Sequence, residues 1–131
     1  MSESAPIYVA VVDDDESQCR ALSRLLRATG IQVITYRSGE SFLADLKHPQ
    51  FDCLVLDIQF AGMSGIELKK QLTAMGSFTP TIFITAHDEP EVRREALAAG
   101  GIAFFRKTAP GTAIIAAIQA ALANAVIEKK S

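Results

Sequence analysis

Apolar runs alternate with segments of helical periodicity along the chain. Each run has the length and composition of a β-strand. The five runs are Ile7–Val12, Gln32–Tyr36, Cys53–Leu56, Thr81–Thr85 and Ile102–Phe105. Helical segments follow them at Ser17–Ala28, Ser41–Leu46, Gly65–Met75, Glu89–Ala99 and Gly111–Ile127. The pattern therefore predicts five strands, each followed by a helix.

The hydrophobicity of the runs indicates how the strands are buried. The first, third and fourth runs are apolar without clean alternation, which is typical of parallel strands covered by helices on both faces. The second run is more mixed and is expected at an edge of the sheet. Short connections between strands and helices imply right-handed βαβ units. We therefore predict an α/β fold, a doubly wound five-stranded parallel sheet of the flavodoxin-like (βα)5 type with strand order 2-1-3-4-5.

Apolar residues at helical spacing predict the buried faces of the first and third helices. In the first helix they are Ala21, Leu22, Leu25 and Leu26, and in the third they are Ile66, Leu68 and Leu72. Gly30 and Gly76 follow these helices and predict where they end.

The fifth helix is unusual because it has no charged side chain from Thr112 to Ile127. Its predicted buried stripe is Ile114, Ile115, Ile118, Leu122 and Val126, and its other side presents Ala113, Ala116, Ala117, Ala120 and Ala123. Two interpretations stay open. Alanine is a strong helix former with little apolar area to hide, or the uncharged face is a surface for self-association or for another partner.

Composition and charge exclude several classes of protein. The length suits one domain, which we place at 1–131 with a core at about residues 7–127. A chain with 49% hydrophobic and 21% charged residues is typical of a soluble globular protein, and a net charge of −2 does not favour nucleic-acid binding. The sequence shows neither a signal peptide nor a membrane-spanning run, and we interpret Cys19 and Cys53 as reduced thiols. We therefore expect a cytoplasmic protein.

Polar side chains stand at the ends of four predicted strands: Asp13 and Asp14, Asp57, Thr85, and Lys107. In the predicted order the first and third strands are neighbours, so their three carboxylates should converge at the carboxyl edge of the sheet. Clustered carboxylates favour a divalent cation, and oxygen ligands suit Mg²⁺. An Asp can be a covalent nucleophile for a phosphoryl group, with a Lys balancing its charge and a Thr hydroxyl donating to it.

Each of these residues also has an ordinary structural interpretation. Asp14 or Asp15 could cap the first helix. Thr85 could be a plain strand residue, and Lys107 could be solvated. The joint arrangement, with each group at a strand end, is what indicates a metal-and-phosphoryl site.

Five motifs carry a resemblance to a known family. They are Val11-Val12-Asp13-Asp14-Asp15-Glu16, Leu54-Val55-Leu56-Asp57, Gly62-Met63-Ser64-Gly65, Ile84-Thr85-Ala86 and Phe104-Phe105-Arg106-Lys107. With them the chain resembles the receiver domains of bacterial two-component response regulators over about residues 7–127, and FixJ-type receivers most of all. The resemblance implies phosphotransfer from a sensor histidine kinase to Asp57, with no enzymatic activity beyond slow autodephosphorylation.

The resemblance also implies a metal site. Asp13, Asp14 and Asp57 would bind Mg²⁺ through their carboxylates, and Gln59 would add its backbone carbonyl. The domain itself would bind neither nucleic acid nor a membrane.

A conformational switch is the third implication of the resemblance. Thr85 would be the switch hydroxyl, Lys107 the cation that pairs with the phosphate, and Phe104 the switch aromatic. Phosphorylation would shift a population of conformations, with Thr85 moving toward the phosphoryl group and the aromatic following inward. The face made by the fourth helix, fifth strand and fifth helix would change shape, and there a second copy or an output protein would bind.

The chain departs from the family pattern in two loops. Lys107-Thr108 stands where the family usually has Lys-Pro with a cis peptide, and a cis bond before a non-proline residue costs about 3–4 kcal/mol. We therefore predict a trans bond, or else a strained cis bond, with consequences for the reach of Lys107 and the start of the fifth helix. Phe60-Ala61 replaces the usual apolar-Pro pair, so that turn should be less rigid.

Two variable positions flank the predicted site, Gln59 two residues after Asp57 and His87 two residues after Thr85. In the family such positions tune how water reaches the acyl phosphate, which predicts that one of them alters the phosphoryl lifetime. The alternative is that both are exposed loop side chains without a role.

Three other functions match parts of the pattern. A Mg²⁺ phosphatase with an Asp nucleophile would need a second Asp where Gln59 stands. A flavodoxin-like cofactor binder would need a phosphate-cradling loop where the chain has Asp13-Asp14-Asp15. A pseudo-receiver, which keeps the fold as a docking platform, stays open because of Ala61 and Thr108. It is also open whether the chain acts alone or is one piece of a longer regulator.

Overall fold

The sequence folds into one five-stranded parallel sheet with helices on both faces. The computed structural model describes residues 6–59 and 62–130, with the backbone alone for 125–130. The strands are β1 Tyr8–Val12, β2 Gln32–Tyr36, β3 Cys53–Asp57, β4 Thr81–Thr85 and β5 Gly101–Arg106. The helices are α1 Glu16–Ala28, α2 Gly39–Ala44, α3 Gly65–Ala74, α4 Pro90–Ala98 and α5 Gly111–Lys130. The strand order β2-β1-β3-β4-β5 confirms the predicted fold class and the edge position of β2.

Helices on both faces explain why β3 and β4 are buried along their whole length. All five residues of each strand are buried. Successive side chains of a strand point to opposite faces. Val9 and Val11 of β1 therefore pack in one core with α1 and α5, whereas Ala10 and Val12 pack in a second core with α2, α3 and α4. Close packing on both sides makes the carboxyl edge of the sheet a firm base for the loops that follow the strands.

The buried face of α1 differs from the prediction. Its buried residues are Cys19, Leu22, Ser23 and Leu26, whereas Ala21 is exposed and Leu25 is 36% exposed. Leu25 lies about 100° around the helix from Leu26, and the core contacts of α1 centre on Cys19, Leu22 and Leu26. The prediction was therefore wrong for Ala21 and Leu25.

Capping residues decide where the helices begin and end. Gly30 and Gly76 have φ values of +86° and +87°, in the left-handed region that favours glycine, and they follow α1 and α3 as predicted. α2 begins earlier than predicted because Ser38 and Ser41 form a capping box. The predicted buried face of α3 is confirmed at all three apolar positions.

α5 has the uncharged surface that the sequence predicted. Ile114, Ile115 and Ile118 are buried as expected, and Ala121 is buried as well. Leu122 is half-buried, and Val126 lies outside the described side chains. The exposed residues of its described part include Ala116, Gln119, Ala120, Ala123 and Asn124. Apolar as α5 is, none of the helices described is both long and hydrophobic enough to cross a membrane.

Candidate functional site at the carboxyl edge of the sheet

The sheet order brings four strand ends together. Asp13 directly follows β1, and Asp57 and Thr85 are the last residues of β3 and β4. Lys107 directly follows β5, where its backbone N–H donates to the carbonyl oxygen of Thr85 at 2.8 Å. Since β1 lies beside β3, and β3 beside β4, the residues predicted from separate motifs become neighbours.

Three carboxylates converge, as predicted. Asp13, Asp14 and Asp57 each offer an oxygen, and these oxygens all lie within 4.8 Å of one another. Asp13 and Asp57 are fully buried, whereas Asp14 is exposed. The cluster therefore opens to solvent on the side of Asp14.

Local hydrogen bonds orient the two buried carboxylates. Asp13 Oδ1 accepts from the backbone N–H of Asp15 at 2.9 Å, and Asp57 Oδ1 accepts from that of Gln59 at 3.1 Å. The second oxygens differ, because Asp13 Oδ2 and Asp57 Oδ2 are the only buried side-chain nitrogens or oxygens in the described part of the chain without a hydrogen-bond partner. Buried polar atoms are normally paired, so this edge has unused capacity to bind a donor or a cation.

Lys107 reaches both buried carboxylates. Its Nζ donates to Asp13 Oδ1 at 3.1 Å and lies 3.0 Å from Asp57 Oδ2. The second contact is an ion pair by distance, but it is not aligned as a hydrogen bond, which agrees with the unpartnered state of that oxygen. The Lys107–Thr108 peptide is trans, as predicted, and Lys107 contacts both buried carboxylates with that peptide trans.

The charges of this cluster do not balance, and the pKa values of Asp57 and Lys107 are shifted from their ordinary values. Burial raises the pKa of Asp57 to about 7; the Lys107 ammonium opposes this effect, and the negative charge of Asp13 adds to it. Burial would lower the pKa of Lys107, but its contacts with Asp57 and Asp13 raise that pKa above its ordinary value. One ammonium thus serves a group of three carboxylates, and a divalent cation would restore neutrality. Three clustered carboxylate oxygens, two of them on partly unsatisfied groups, form a donor set that suits Mg²⁺.

Thr85 is fully buried, and its hydroxyl is already engaged. Its Oγ1 accepts from the backbone N–H of His87 at 3.1 Å. Its own proton is directed to the side-chain Oε1 of Gln59 at 3.3 Å or to the carbonyl oxygen of His87 at 3.1 Å. The hydroxyl therefore belongs to the loop network around Gln59 and His87 in this structure.

Phe104 lies on the inner side of β5 under an arginine. The residue is 9% exposed, and the guanidinium carbon of Arg93 is 4.8 Å from the centroid of its ring. Asp88 binds Arg93 at 3.4 Å and Arg106 at 3.0 Å, so it links α4 to β5. The hydrogen bond from Arg106 lowers the pKa of Asp88 below its ordinary value.

This arginine–aspartate cluster is a feature that the sequence reasoning missed. Asp88 follows the predicted switch threonine by three positions, and arginines stand on the fourth helix and at the end of the fifth strand. That pattern was the available signal.

The loop after Asp57 is anchored at its far end. The backbone N–H of Met63 donates to Glu40 Oε2 at 3.2 Å, and Ser64 and Glu67 form a capping box at the start of α3. A Cβ atom on Gly65 would overlap the carbonyl oxygen of Asp57, so only glycine permits this close approach. Phe60 and Ala61, where we predicted a less rigid turn, lie outside the described residues.

The fold and this lysine-paired acidic centre define a class of protein: a flavodoxin-like α/β domain with a site suited to a metal ion and a phosphoryl group. The family model for the response regulator receiver domain matches residues 9–119. The chain therefore belongs to the response regulator receiver domains, a signalling family whose function is phosphotransfer to an aspartate.

Individual relatives agree with this assignment. The chain is 35% identical to the response regulator protein TodT of Pseudomonas putida over 122 residues, which are 93% of this chain and 53% of TodT. It is also 35% identical to the transcriptional regulatory protein FixJ of Azorhizobium caulinodans, over 93% of this chain and 57% of FixJ. The chain thus spans about half the length of these relatives.

A solved structure gives the same result. The response regulator receiver protein from Burkholderia phymatum is 45% identical and superimposes with a TM-score of 0.78, covering 89% of this chain and 95% of that one. The resemblance to receiver domains stated from the motifs is therefore confirmed.

Proposed function

We propose that Asp57 accepts a phosphoryl group from a phosphohistidine of a sensor histidine kinase, within a single receiver domain whose core spans about residues 7–127. The observation that carries this proposal is the buried Asp57 carboxylate, which lies 3.0 Å from Lys107 Nζ and next to two further carboxylates. In transfer, an Asp57 oxygen forms a bond to phosphorus as the phosphorus–nitrogen bond of the donor breaks. The electron pair of that bond stays on the imidazole nitrogen.

Mg²⁺ is the cofactor that we assign to this reaction. Asp13, Asp14 and Asp57 would bind it, together with the backbone carbonyl of Gln59. The bound ion would screen negative charge between the carboxylates and the incoming phosphoryl group. The unpartnered Asp13 Oδ2 supports this assignment, because a buried carboxylate oxygen is costly to leave unpaired.

Lys107 has two tasks in the proposed reaction. Burial favours the protonated, non-nucleophilic form of Asp57, and the neighbouring ammonium opposes that effect. After transfer, the same ammonium would pair with an oxygen of the aspartyl phosphate. Its contacts with both Asp13 and Asp57 support this position, since the ammonium is held between the two carboxylates before the reaction.

The output step of the proposal is a shift between two conformations. Thr85 would leave its present partners and donate to a phosphoryl oxygen, and Phe104 is the switch aromatic that would respond. The stacking of Arg93 on Phe104 and the Asp88 contacts link that ring to α4. The face made by α4, β5 and α5 would then bind a second copy of the chain or an output protein.

Oligomeric state separates these two partners. Sedimentation with and without beryllofluoride should reveal a dimer if a second copy binds. A strictly monomeric protein in both states would leave the output protein as the partner.

In this proposal the domain works in the cytoplasm, has no enzymatic activity beyond slow autodephosphorylation, and binds neither nucleic acid nor membrane itself.

The test uses acetyl phosphate and Mg²⁺ with intact-mass detection. Wild type should gain one phosphoryl group, and Asp57→Asn should gain none. Glu91→Gln, which changes an exposed carboxylate on α4, is the matched control and should react as wild type does. A wild type without Asp57-dependent mass change would contradict the proposal and favour a pseudo-receiver that only docks partners.

The phosphoryl lifetime gives a further prediction. If Gln59 or His87 tunes the access of water to the aspartyl phosphate, Gln59→Ala or His87→Ala should change the dephosphorylation rate severalfold. Equal rates in wild type and both variants would remove this role from both residues.

A further inference from the structure

Gln59 contacts the switch threonine through its side chain. Its backbone N–H is bound to Asp57 Oδ1 at 3.1 Å, which fixes the residue directly beside the proposed phosphoacceptor. From there the side chain extends from the end of β3 to the end of β4, where Oε1 accepts from Thr85 Oγ1 at 3.3 Å. An exposed residue of one loop thereby binds the fully buried hydroxyl of the next strand.

We propose that the Gln59 side chain restrains the Thr85 hydroxyl in the unphosphorylated state and so sets the population of the active conformation. This inference rests on the proposed function, because it assigns the regulation of that same switch. A hydroxyl has one proton to donate, and Thr85 directs it to Gln59 or to the His87 carbonyl. To donate to a phosphoryl oxygen, the hydroxyl must leave both acceptors.

The two acceptors differ in how they depend on the sequence. His87 contacts Thr85 only through backbone atoms, which any residue at that position would supply. Gln59 uses its side chain, so this contact depends on the residue type. Gln59 also lines a groove of about 590 Å³ between α3 and α4, together with Ser64 and Val92. The groove gives the amide room to turn once Thr85 has left.

The consequence is a measurable penalty on activation. When only a fraction of molecules is in the binding-competent conformation, the apparent dissociation constant of an activating ligand equals the intrinsic constant divided by that fraction. The smaller the fraction, the weaker the apparent affinity. Thr85 has a second acceptor, so losing the hydrogen bond to Gln59 should change the ratio of active to inactive conformations by about 2–5-fold. Removing the Gln59 acceptor should therefore strengthen the apparent affinity for beryllofluoride by about 2–5-fold.

The variant for this test is Gln59→Met, which keeps the length of the side chain and the backbone carbonyl but removes the amide oxygen. Beryllofluoride titrations with saturating Mg²⁺ should show the tighter apparent affinity, while the Mg²⁺ affinity stays as in wild type. In a Thr85→Val background the same Gln59→Met change should have no effect, because the hydroxyl is gone. Glu91→Gln, which changes an exposed carboxylate of α4 outside this contact, is the matched control and should leave the affinity unchanged.

Three results would decide against the inference. Unchanged beryllofluoride affinity in Gln59→Met would overturn it, as would an equal shift in the Thr85→Val background. A parallel change in Mg²⁺ affinity would also overturn it, because the substitution would then act through the metal site, where the backbone carbonyl of Gln59 is proposed to bind. The proposed function fails separately, through a wild type that does not bind beryllofluoride in an Asp57-dependent way.

Discussion

The two edges of the parallel sheet both contain buried charged groups, but within the described part of the chain only the carboxyl edge leaves buried side-chain atoms without a hydrogen bond. At the amino edge, Lys69 is 4% exposed and its Nζ donates to the carbonyl oxygen of Thr79 at 3.0 Å. Asp52 accepts there from the backbone N–H of Tyr8 at 3.0 Å. At the carboxyl edge, Asp13 and Asp57 share one ammonium, and each has a buried oxygen without a hydrogen bond.

This difference separates a structural use of buried charge from a functional one. A satisfied buried group contributes to a unique packing, whereas an unbalanced cluster stores unfavourable electrostatic energy that a ligand can relieve. The carboxyl edge is therefore the part of the molecule where a cation and a phosphoryl group would change the energy most. Four substitutions or additions test this contrast, from the largest expected effect to the smallest.

Removing the shared ammonium should have the largest effect. In Lys107→Met, Asp13 and Asp57 lose their only cation among the described residues, and the free energy of unfolding should fall by about 1–3 kcal/mol. Urea unfolding with EDTA at neutral pH measures this change. Lys70→Met, which alters an exposed lysine of α3, is the matched control. The loss should shrink when Asp57→Asn is added, and an equal loss in that background would contradict the unbalanced cluster.

In the absence of metal, replacing the Asp57 carboxylate with a neutral side chain should stabilise the protein. The folded-state pKa of Asp57 is raised from 3.8 to about 7, so its ionisation makes the folded state less stable as pH rises through that interval. Above about pH 7, Asp57→Asn should therefore gain about 1–2 kcal/mol, after allowing for the lost pairing with Lys107.

The pH dependence of the stability gained by Asp57→Asn tests whether ionisation of Asp57 is its cause. Wild type and Asp57→Asn should be closest in stability near pH 4, where the folded-state carboxyl is protonated and the unfolded-state carboxyl has only begun to ionise, and should diverge as pH rises. Unfolding curves in EDTA at about pH 4.5 and about pH 8 cover this window. A gain that is the same at both pH values would show that ionisation of Asp57 is not its cause.

Mg²⁺ should offset the repulsion among the three carboxylates and stabilise the folded protein. A ligand that binds only the folded state adds about 1.4 kcal/mol at ten times its dissociation constant. Thermal unfolding of wild type should therefore shift upward with Mg²⁺, and Asp13→Asn should lose most of the shift. Glu91→Gln should keep it. An equal shift in Asp13→Asn would place the ion elsewhere.

Much of this contrast was predictable from the sequence because its determinants are local. A carboxylate directly after an apolar run is fixed at a strand end by the chain itself, and right-handed βαβ units leave the flavodoxin-like strand order as one of two common solutions. Asp13, Asp57, Thr85 and Lys107 were found in this way. Their distances to one another follow from the sheet order rather than from any one motif.

The features that were missed depend on side-chain directions between distant segments. The sequence does not reveal that Gln59 points to Thr85, since the two residues stand at the ends of different strands. Nor does it reveal that Asp88 lies between Arg93 and Arg106, since this arrangement depends on how α4 packs beside β5. The exposure of Leu25 was missed for a related reason. Its apolar character suits the core, but its side chain lies against Gly111 at the start of α5 and stays partly exposed.

The amino edge supplies the smallest predicted effect. Burial lowers the pKa of Lys69, so its charged form is disfavoured and a methionine of similar length should replace it at little cost. Thr79 would keep the hydrogen bond that its carbonyl accepts from Thr81 Oγ1 at 3.0 Å. Lys69→Met should therefore change the free energy of unfolding by less than about 1 kcal/mol and leave acetyl phosphate labelling intact. A loss as large as that of Lys107→Met would mean that the two edges depend on their buried charges alike. A small change in Lys69→Met together with a large loss in Lys107→Met would show that the unfavourable electrostatic energy is confined to the carboxyl edge.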